Sequence, residues 1–147
     1  MDDFNTKQTS LISHAHRVKV SSVLNRAIKS YGKNFMFDGN DETCWNSDQG
    51  SPQYIMMAFD ARVKISSVGI QFQGGFAGKE CRLEGGLDSK SLHHLQDFYP
   101  KDINSYQIFD GSASEEIEYL KIIFTSSSDF FGRITIYKLD VLGNVCE

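Results

Sequence analysis

The side chains able to do chemistry are scattered along the chain, and their spacing fits no catalytic or metal-binding pattern. Cys44, Cys81 and Cys146 are odd in number and far apart, without the close pairing of a zinc site. His93 and His94 are adjacent, but no carboxylate or nucleophile stands at a spacing diagnostic of an acid–base couple. His14 and His16 could in principle share a metal; they read here as solvated tail residues. Gly74-Gly75-Phe76-Ala77-Gly78 is glycine-rich, yet it leads into neither the Lys nor the helix of a phosphate-cradling loop. Leu92-His93-His94-Leu95-Gln96 approaches a Leu-x-x-Leu-Leu docking helix but lacks the last apolar anchor. Neither enzyme activity nor a cofactor is expected.

More informative is the stretch Phe37 to Gly50. It contains the only tryptophan, Trp45, in a run dense with turn formers, just before an apolar segment from Gln53 to Phe59. A lone Trp between loop residues plugs a core where the loop folds back on it. Its polar neighbours either face a ligand or satisfy the loop backbone.

Composition narrows the function classes. At 147 residues the chain fits one domain with a substantial core, and 40% hydrophobic content with eleven Phe argues against disorder. The formal charge is -4 and the basic residues occur mostly singly, so neither a nucleic-acid stripe nor a membrane-surface patch is expected. No run reaches the ~18 apolar residues of a membrane span. Asp2 and Asp3 do not fit a signal peptide, and the unpaired cysteines favour a reducing compartment, nucleus or cytoplasm, rather than secretion.

The elements that must position these residues are short strands. Residues 1–16 read as a flexible N-terminal tail and 17–147 as the domain. Val18, Val20 and Leu24 begin a strand-like stretch, and Asn25 to Gly32 reads as loop. Ile65 to Gln73 alternates, with Val68, Ile70 and Phe72 on one face, as a half-buried strand does. Lys79 to Leu83 is a short strand, and Gly85-Gly86 marks a turn. His94 to Phe98 and Tyr106 to Phe109 are further candidates. Tyr119 to Thr125 is a strand with Leu120, Ile122 and Phe124 aligned. In Arg133 to Leu142 the parity slips between Ile134/Ile136 and Leu139/Val141, which predicts a bulge near Tyr137 or Lys138. No stretch of ten or more residues has helical period. Many short strands with Gly and Asx turns predict an all-β sandwich or barrel.

Two motifs in order carry a family resemblance. Thr43-x-Trp45-x-Ser47-Asp48, after Phe37-Asp38-Gly39 and before Pro52-Gln53, resembles the discoidin or coagulation factor 5/8 type C family. Gly132-Arg133-Ile134-x-Ile136-x-x-Leu139-x-Val141-x-Gly143 resembles that family's last strand. The resemblance covers about residues 17 to 143 and implies a galactose-binding-like jelly-roll β-sandwich with a ligand site in the loops at one end. Further stretches resemble a family of small intracellular proteins associated with an orphan nuclear receptor of the 2C group. They are Ser21 to Arg26, Asp41 to Gly50, Gln71 to Phe76 and Asp129 to Arg133. That resemblance implies repression of receptor-driven transcription, by direct contact that blocks receptor dimerisation or response-element binding.

Placed on such a scaffold, Asn46, Asp48, Gln49, Gln73, Gly74, Gly75, Phe76, Asp129, Phe130 and Arg133 form the candidate partner- or ligand-facing set. Aromatics beside an Arg are typical of a protein-recognition hot spot, though a sugar ring would stack on the same residues. Trp45 and Phe131 read as structural, core-capping residues. Alternative functions are a glycan or small-ligand binder and an adaptor subunit of a larger complex. The factor 5/8 type C resemblance also implies calcium, which many such relatives bind around a loop like Asp38 to Thr43, and makes Asp38, Asp41 and Thr43 the candidate ligands. Their closing Glu is replaced here by Lys138, whose charge would repel the ion, so no metal is expected.

Overall fold

The computed structural model describes residues 8–111 and 115–147. The strands are β1 (Thr9–Ser10), β2 (Ala15–Val20), β3 (Trp45–Asn46), β4 (Gln53–Phe72), β5 (Cys81–Gly86), β6 (His93–Phe98), β7 (Tyr106–Asp110), β8 (Ile117–Phe124) and β9 (Thr135–Val145). All their pairings are antiparallel. The one α-helix among the described residues, α1, is a single turn, Ile28–Tyr31.

Strand β4 organises the whole. The sequence suggests two separate strands here, because Asp60, Arg62 and Lys64 interrupt the apolar pattern. Instead the chain stays extended over 20 residues and changes layer on the way. Its first part, Gln53–Ala58, lies between β2 and β8. Its second part, from Val63 to Phe72, pairs with β9 and, over Ser67–Gln71, with β7. One layer is therefore β2-β4-β8-β5-β6. The other is β9-β4-β7, with β1 and β3 added along β9. This is the expected all-β sandwich.

Alternation within each strand supplies the core. Ile55, Met57, Leu120 and Ile122 from one layer, and Ile70, Phe72, Ile136 and Val141 from the other, are fully buried. Aromatic rings join the layers. Phe124 of β8 meets Phe72 edge-on at 5.9 Å and tilts against Trp45 at 6.5 Å. Phe98 of β6 packs on Phe109 of β7 at 4.8 Å. Trp45 is completely buried, and its indole N–H donates to the Ser22 carbonyl at 2.9 Å, which satisfies the one polar group that its burial would otherwise strand.

The expected bulge is present. Gln71 faces Lys138 but Phe72 faces Ile136, leaving Tyr137 as the extra residue. It returns Leu139 and Val141 to the buried face. Two expectations need correction. Residues 9–16 are not a tail: Thr9 and Ser10 pair with β9, the Leu11 N–H donates to Val141 O at 2.7 Å, and the Leu11 side chain is fully buried. Residues 1–7 of that expected tail lie outside the described residues. A two-residue strand and one apolar anchor are too short to show any periodicity. Gly85 and Gly86 are not a turn but the buried end of β5. A Cβ on Gly85 would lie 2.9 Å from Leu95 Cδ1, so these glycines make room for close packing.

Trp45→Ala removes the largest ring of the inter-layer contact and should cost about 3–5 kcal/mol. Chemical denaturation of parent and variant measures this; a midpoint nearly unchanged would mean that the ring does not carry the core.

Candidate functional site

Strands β2, β3, β4, β5, β6, β7, β8 and β9 all have a terminus at one end of the sandwich. Residues 21–27, 46–52, 73–80, 99–105 and 125–134 therefore meet there. Gln53, at the mouth of β4, ties the first two connections together. Its Oε1 accepts from the Ser21 and Ser22 hydroxyls at 2.5 and 2.7 Å, and its Nε2 donates to the Asp48 and Gly50 carbonyls at 3.1 and 2.9 Å. All four bonding positions of this buried amide are filled. Ser47, also buried, accepts from the Ile134 N–H at 2.8 Å and donates to Asp48 O at 2.9 Å, so it locks the loop to the root of β9.

The 125–134 connection carries the most exposed apolar surface of this end. Asp129 accepts from Arg133 Nε at 2.9 Å, from its Nη2 at 3.2 Å and from its backbone N–H at 3.0 Å. This forked, charge-assisted contact closes the loop across four residues. The guanidinium hydrogen bond, reinforced by the backbone bond and the positive charge, holds the Asp129 carboxyl below the usual carboxylate range; the same bond raises Arg133. Arg133 lies over the Phe76 ring at 5.1 Å and near the Phe131 ring at 5.7 Å. Phe130 meets Phe131 edge-on at 5.2 Å. Gly132 turns the chain with φ +85, and a Cβ there would lie 2.6 Å from Gly50 O, so only glycine fits this turn.

Phe130 is 93% exposed and Phe131 56% exposed. The expectation that Phe131 caps the core is thus corrected: Gly132 and the Asp129–Arg133 fork point the ring outward. Phe76 is half-buried beside Arg133. Gly74 and Gly75 do not offer free amides. Their N–H groups donate to Asn104 Oδ1 at 2.7 Å and Asp102 Oδ1 at 2.8 Å, and Asp102 also accepts from the Ser128 hydroxyl at 3.1 Å. Asn46 is turned inward, with its Oδ1 accepting from the Thr135 hydroxyl. Gln73 is half-buried and donates its backbone N–H to Thr135 O at 3.0 Å. Asp48 is half-buried too, its N–H held by the Ser22 hydroxyl and one carboxylate oxygen accepting from the Gln49 N–H, while Gln49 is exposed. The ten candidates therefore share one end of the molecule. Phe76, Phe130, Arg133 and the misassigned Phe131 form the contiguous outward patch, whereas Asp129, Asn46, Gly74 and Gly75 brace the loops.

Sequence reasoning missed Ser21, Ser22, Gln53, Asp102, Asn104, Ser127 and Ser128. Each is an ordinary polar residue; all but Ser127 bond a partner more than 25 residues away, and Ser127 bonds within its own loop, so no motif marks them.

The Asp38–Thr43 loop lies away from this end and does not fit a calcium ion. Asp38 accepts from the Thr43 hydroxyl at 2.5 Å and from the Asn40 N–H at 3.0 Å, bonds that depress its pKa. The Lys138 ammonium sits 3.5 Å from Asp41. Among the described residues no three His, Cys, Asp or Glu side chains converge.

This two-layer scaffold with a braced loop end defines a class of binding modules, and residues 17–136 match the F5/8 type C domain. The chain belongs to that family. It is homologous to the nuclear receptor 2C2-associated proteins. Similarity to the one from Danio rerio is 53% identity over 134 residues, covering 91% of this chain and 95% of the relative. With the Homo sapiens protein identity is 48% over 125 residues, covering 85% and 89%. Among solved structures, an F5/8 type C domain from Bacteroides fragilis superposes with a TM-score of 0.79 at 10% identity, covering 95% of this chain and 98% of that one. A Clostridium perfringens CBM32 module in complex with GalNAc-beta-1,3-galactose superposes at 0.75 with 14% identity, covering 90% and 99%. At such identities these two show the shared fold.

Because the folded-state pKa of Asp129 is depressed, its contribution to stability is complete above the unfolded value, about 3.9. It is lost as pH falls through the folded value. Asp129→Asn should therefore be less stable than the parent at pH 7, and the difference should shrink in acid. Urea midpoints at pH 7 and near pH 2 measure this; a gap that is the same at both would show that the carboxylate charge does not hold the loop.

Proposed function

We propose that this chain is a non-catalytic protein-binding module that represses nuclear-receptor-driven transcription. It contacts an orphan nuclear receptor of the 2C group directly and blocks receptor dimerisation or response-element binding. The observation that carries the reading is the Phe130–Phe131 pair, held into solvent on a loop made rigid by Asp129, Arg133 and Gly132. Exposed aromatics on a preorganised loop, next to an Arg, suit a protein hot spot, since little side-chain or loop freedom is lost on docking. Homology to proteins named for association with this receptor supports the choice of partner. The net charge of -4 disfavours direct contact with DNA, so interference with response elements would work through the receptor. Nucleus and cytoplasm are the compartments that suit such a partner, and the three free cysteines, two of them buried, accord with a reducing one.

A sugar site has less support. The amides of Gly74 and Gly75 are already bonded within the protein, and the patch around Phe130 protrudes where a ligand pocket would be concave.

Binding of purified nuclear receptor 2C2 to the parent chain and to Phe130→Ser/Phe131→Ser tests the reading by calorimetry. The double variant should bind at least ~30-fold more weakly, the loss typical of a hot spot. Its stability should be close to the parent's, because both rings are exposed. Equal binding by both proteins would remove this surface, and no binding by the parent would remove the direct-contact mechanism.

A further inference from the structure

A second surface lies on the flank of the sandwich, away from the loop end. In β2, Val18 and Val20 pack toward the core, which turns Arg17 and Lys19 outward. In β4, buried Ile55 and Met57 turn Tyr54, Met56 and Ala58 to the same side, and in β8, buried Leu120 and Ile122 do so for Tyr119 and Lys121. The register aligns them in rows: Lys19 faces Met56, which faces Lys121, and Arg17 faces Ala58, which faces Tyr119. The result is a trough lined by Arg17, Lys19, Tyr54, Met56, Ala58, Ser89, Tyr119 and Lys121. Its floor is apolar and its walls carry three cations, with no carboxylate in the lining.

These cations are not neutralised from the neighbouring strands. No ion pair is formed by Arg17, Lys19 or Lys121 among the described residues. The carboxylate nearest in register, Glu84 beside Lys121, is engaged with Arg82 at 3.0 Å. With strands ~4.8 Å apart, Lys19 and Lys121 stand about 10 Å from each other, close to the Debye length at physiological salt, so their charges add at the trough. In a chain of net charge -4, three cations without an ion pair among the described residues meet on one sheet face.

We propose that this face docks an acidic, extended peptide segment of a partner protein. Carboxylates would meet Arg17, Lys19 and Lys121, and apolar side chains between them would lie on Met56 and Ala58. Charge complementarity selects the occupant. A single nucleic-acid strand fits less well. Base stacking needs open ring faces, whereas the Tyr54 ring already lies under the Lys121 ammonium at 4.4 Å and Tyr119 is half-buried. The proposal does not depend on the Phe130 surface, which lies elsewhere.

A short fluorescein-labelled Glu/Leu peptide, followed by anisotropy with the full chain, is the probe. A Lys/Leu peptide and an oligothymidylate serve as controls. The Glu/Leu peptide should bind, and binding should weaken about tenfold or more in 1 M salt. The combined Arg17→Gln, Lys19→Gln, Lys121→Gln variant should lose it, and Phe130→Ser should retain it. Amide shifts in the ¹⁵N-labelled parent should cluster on β2, Gln53–Ala58 and β8, which decides the matter even if the triple variant fails to fold. Absence of binding, equal binding of the Lys/Leu peptide, or shifts confined to the loop end would overturn the proposal. Tighter binding of the oligothymidylate would overturn it in favour of nucleic acid.

Discussion

Everything at the loop end rests on the contact of Trp45 and Phe72 with Phe124. These rings come from different layers and meet just beneath the connections that form the candidate site. They fill space that no smaller residue set would fill, and interiors tolerate little void. With the layers fixed there, the mouths of β4, β8 and β9 are held in place, and the polar contacts above them can form in one arrangement. Gln53 and Ser47 illustrate the dependence. Their bonds stabilise only because the packing below brings Ser21, Ser22, Asp48 and Ile134 within reach.

The rim of loops is rigid on its packed base. Its loops are tied to one another through Asp102, Asn104 and Ser128, and Ser127 braces its own loop at Arg133 O, so the exposed rings are presented in a set geometry. The titratable groups here serve that purpose. Asp129 is depressed by its fork to Arg133, a pairing that shapes the loop instead of poising a proton near neutrality. Burial pushes the thiols of Cys44 and Cys81 up, away from the reactive thiolate.

The two outward surfaces differ in character, and each follows from its supporting element. On the loop end, apolar rings protrude from a tight turn, where they meet each other and Arg133 instead of a flanking strand. On the flank of the β2-β4-β8 layer, pleating sends every second side chain outward, so lysines, an arginine and tyrosines line up across strands. One presents a knob and the other a trough.

The periodicity of two was enough to define an all-β fold, because burial of one face per strand is written residue by residue in Val68, Ile70, Phe72 and Leu120, Ile122, Phe124. The parity slip in the last strand likewise placed the bulge near Tyr137 or Lys138, and the register chose Tyr137. Trp45 was legible as core for the same kind of reason: a large ring in a polar run has nowhere else to go. The continuity of β4 across its charged middle, the docking of Leu11 and the close packing at Gly85 were not legible, since each depends on partners distant in the chain or on space left by other strands. The loop end divides the same way. Its aromatics and Arg133 could be named from the sequence, but which rings face water could not: Phe131 was turned out by a glycine bend and a salt-bridged fork. The trough is wholly tertiary, because only strand register brings Arg17, Lys19 and Lys121 onto one face.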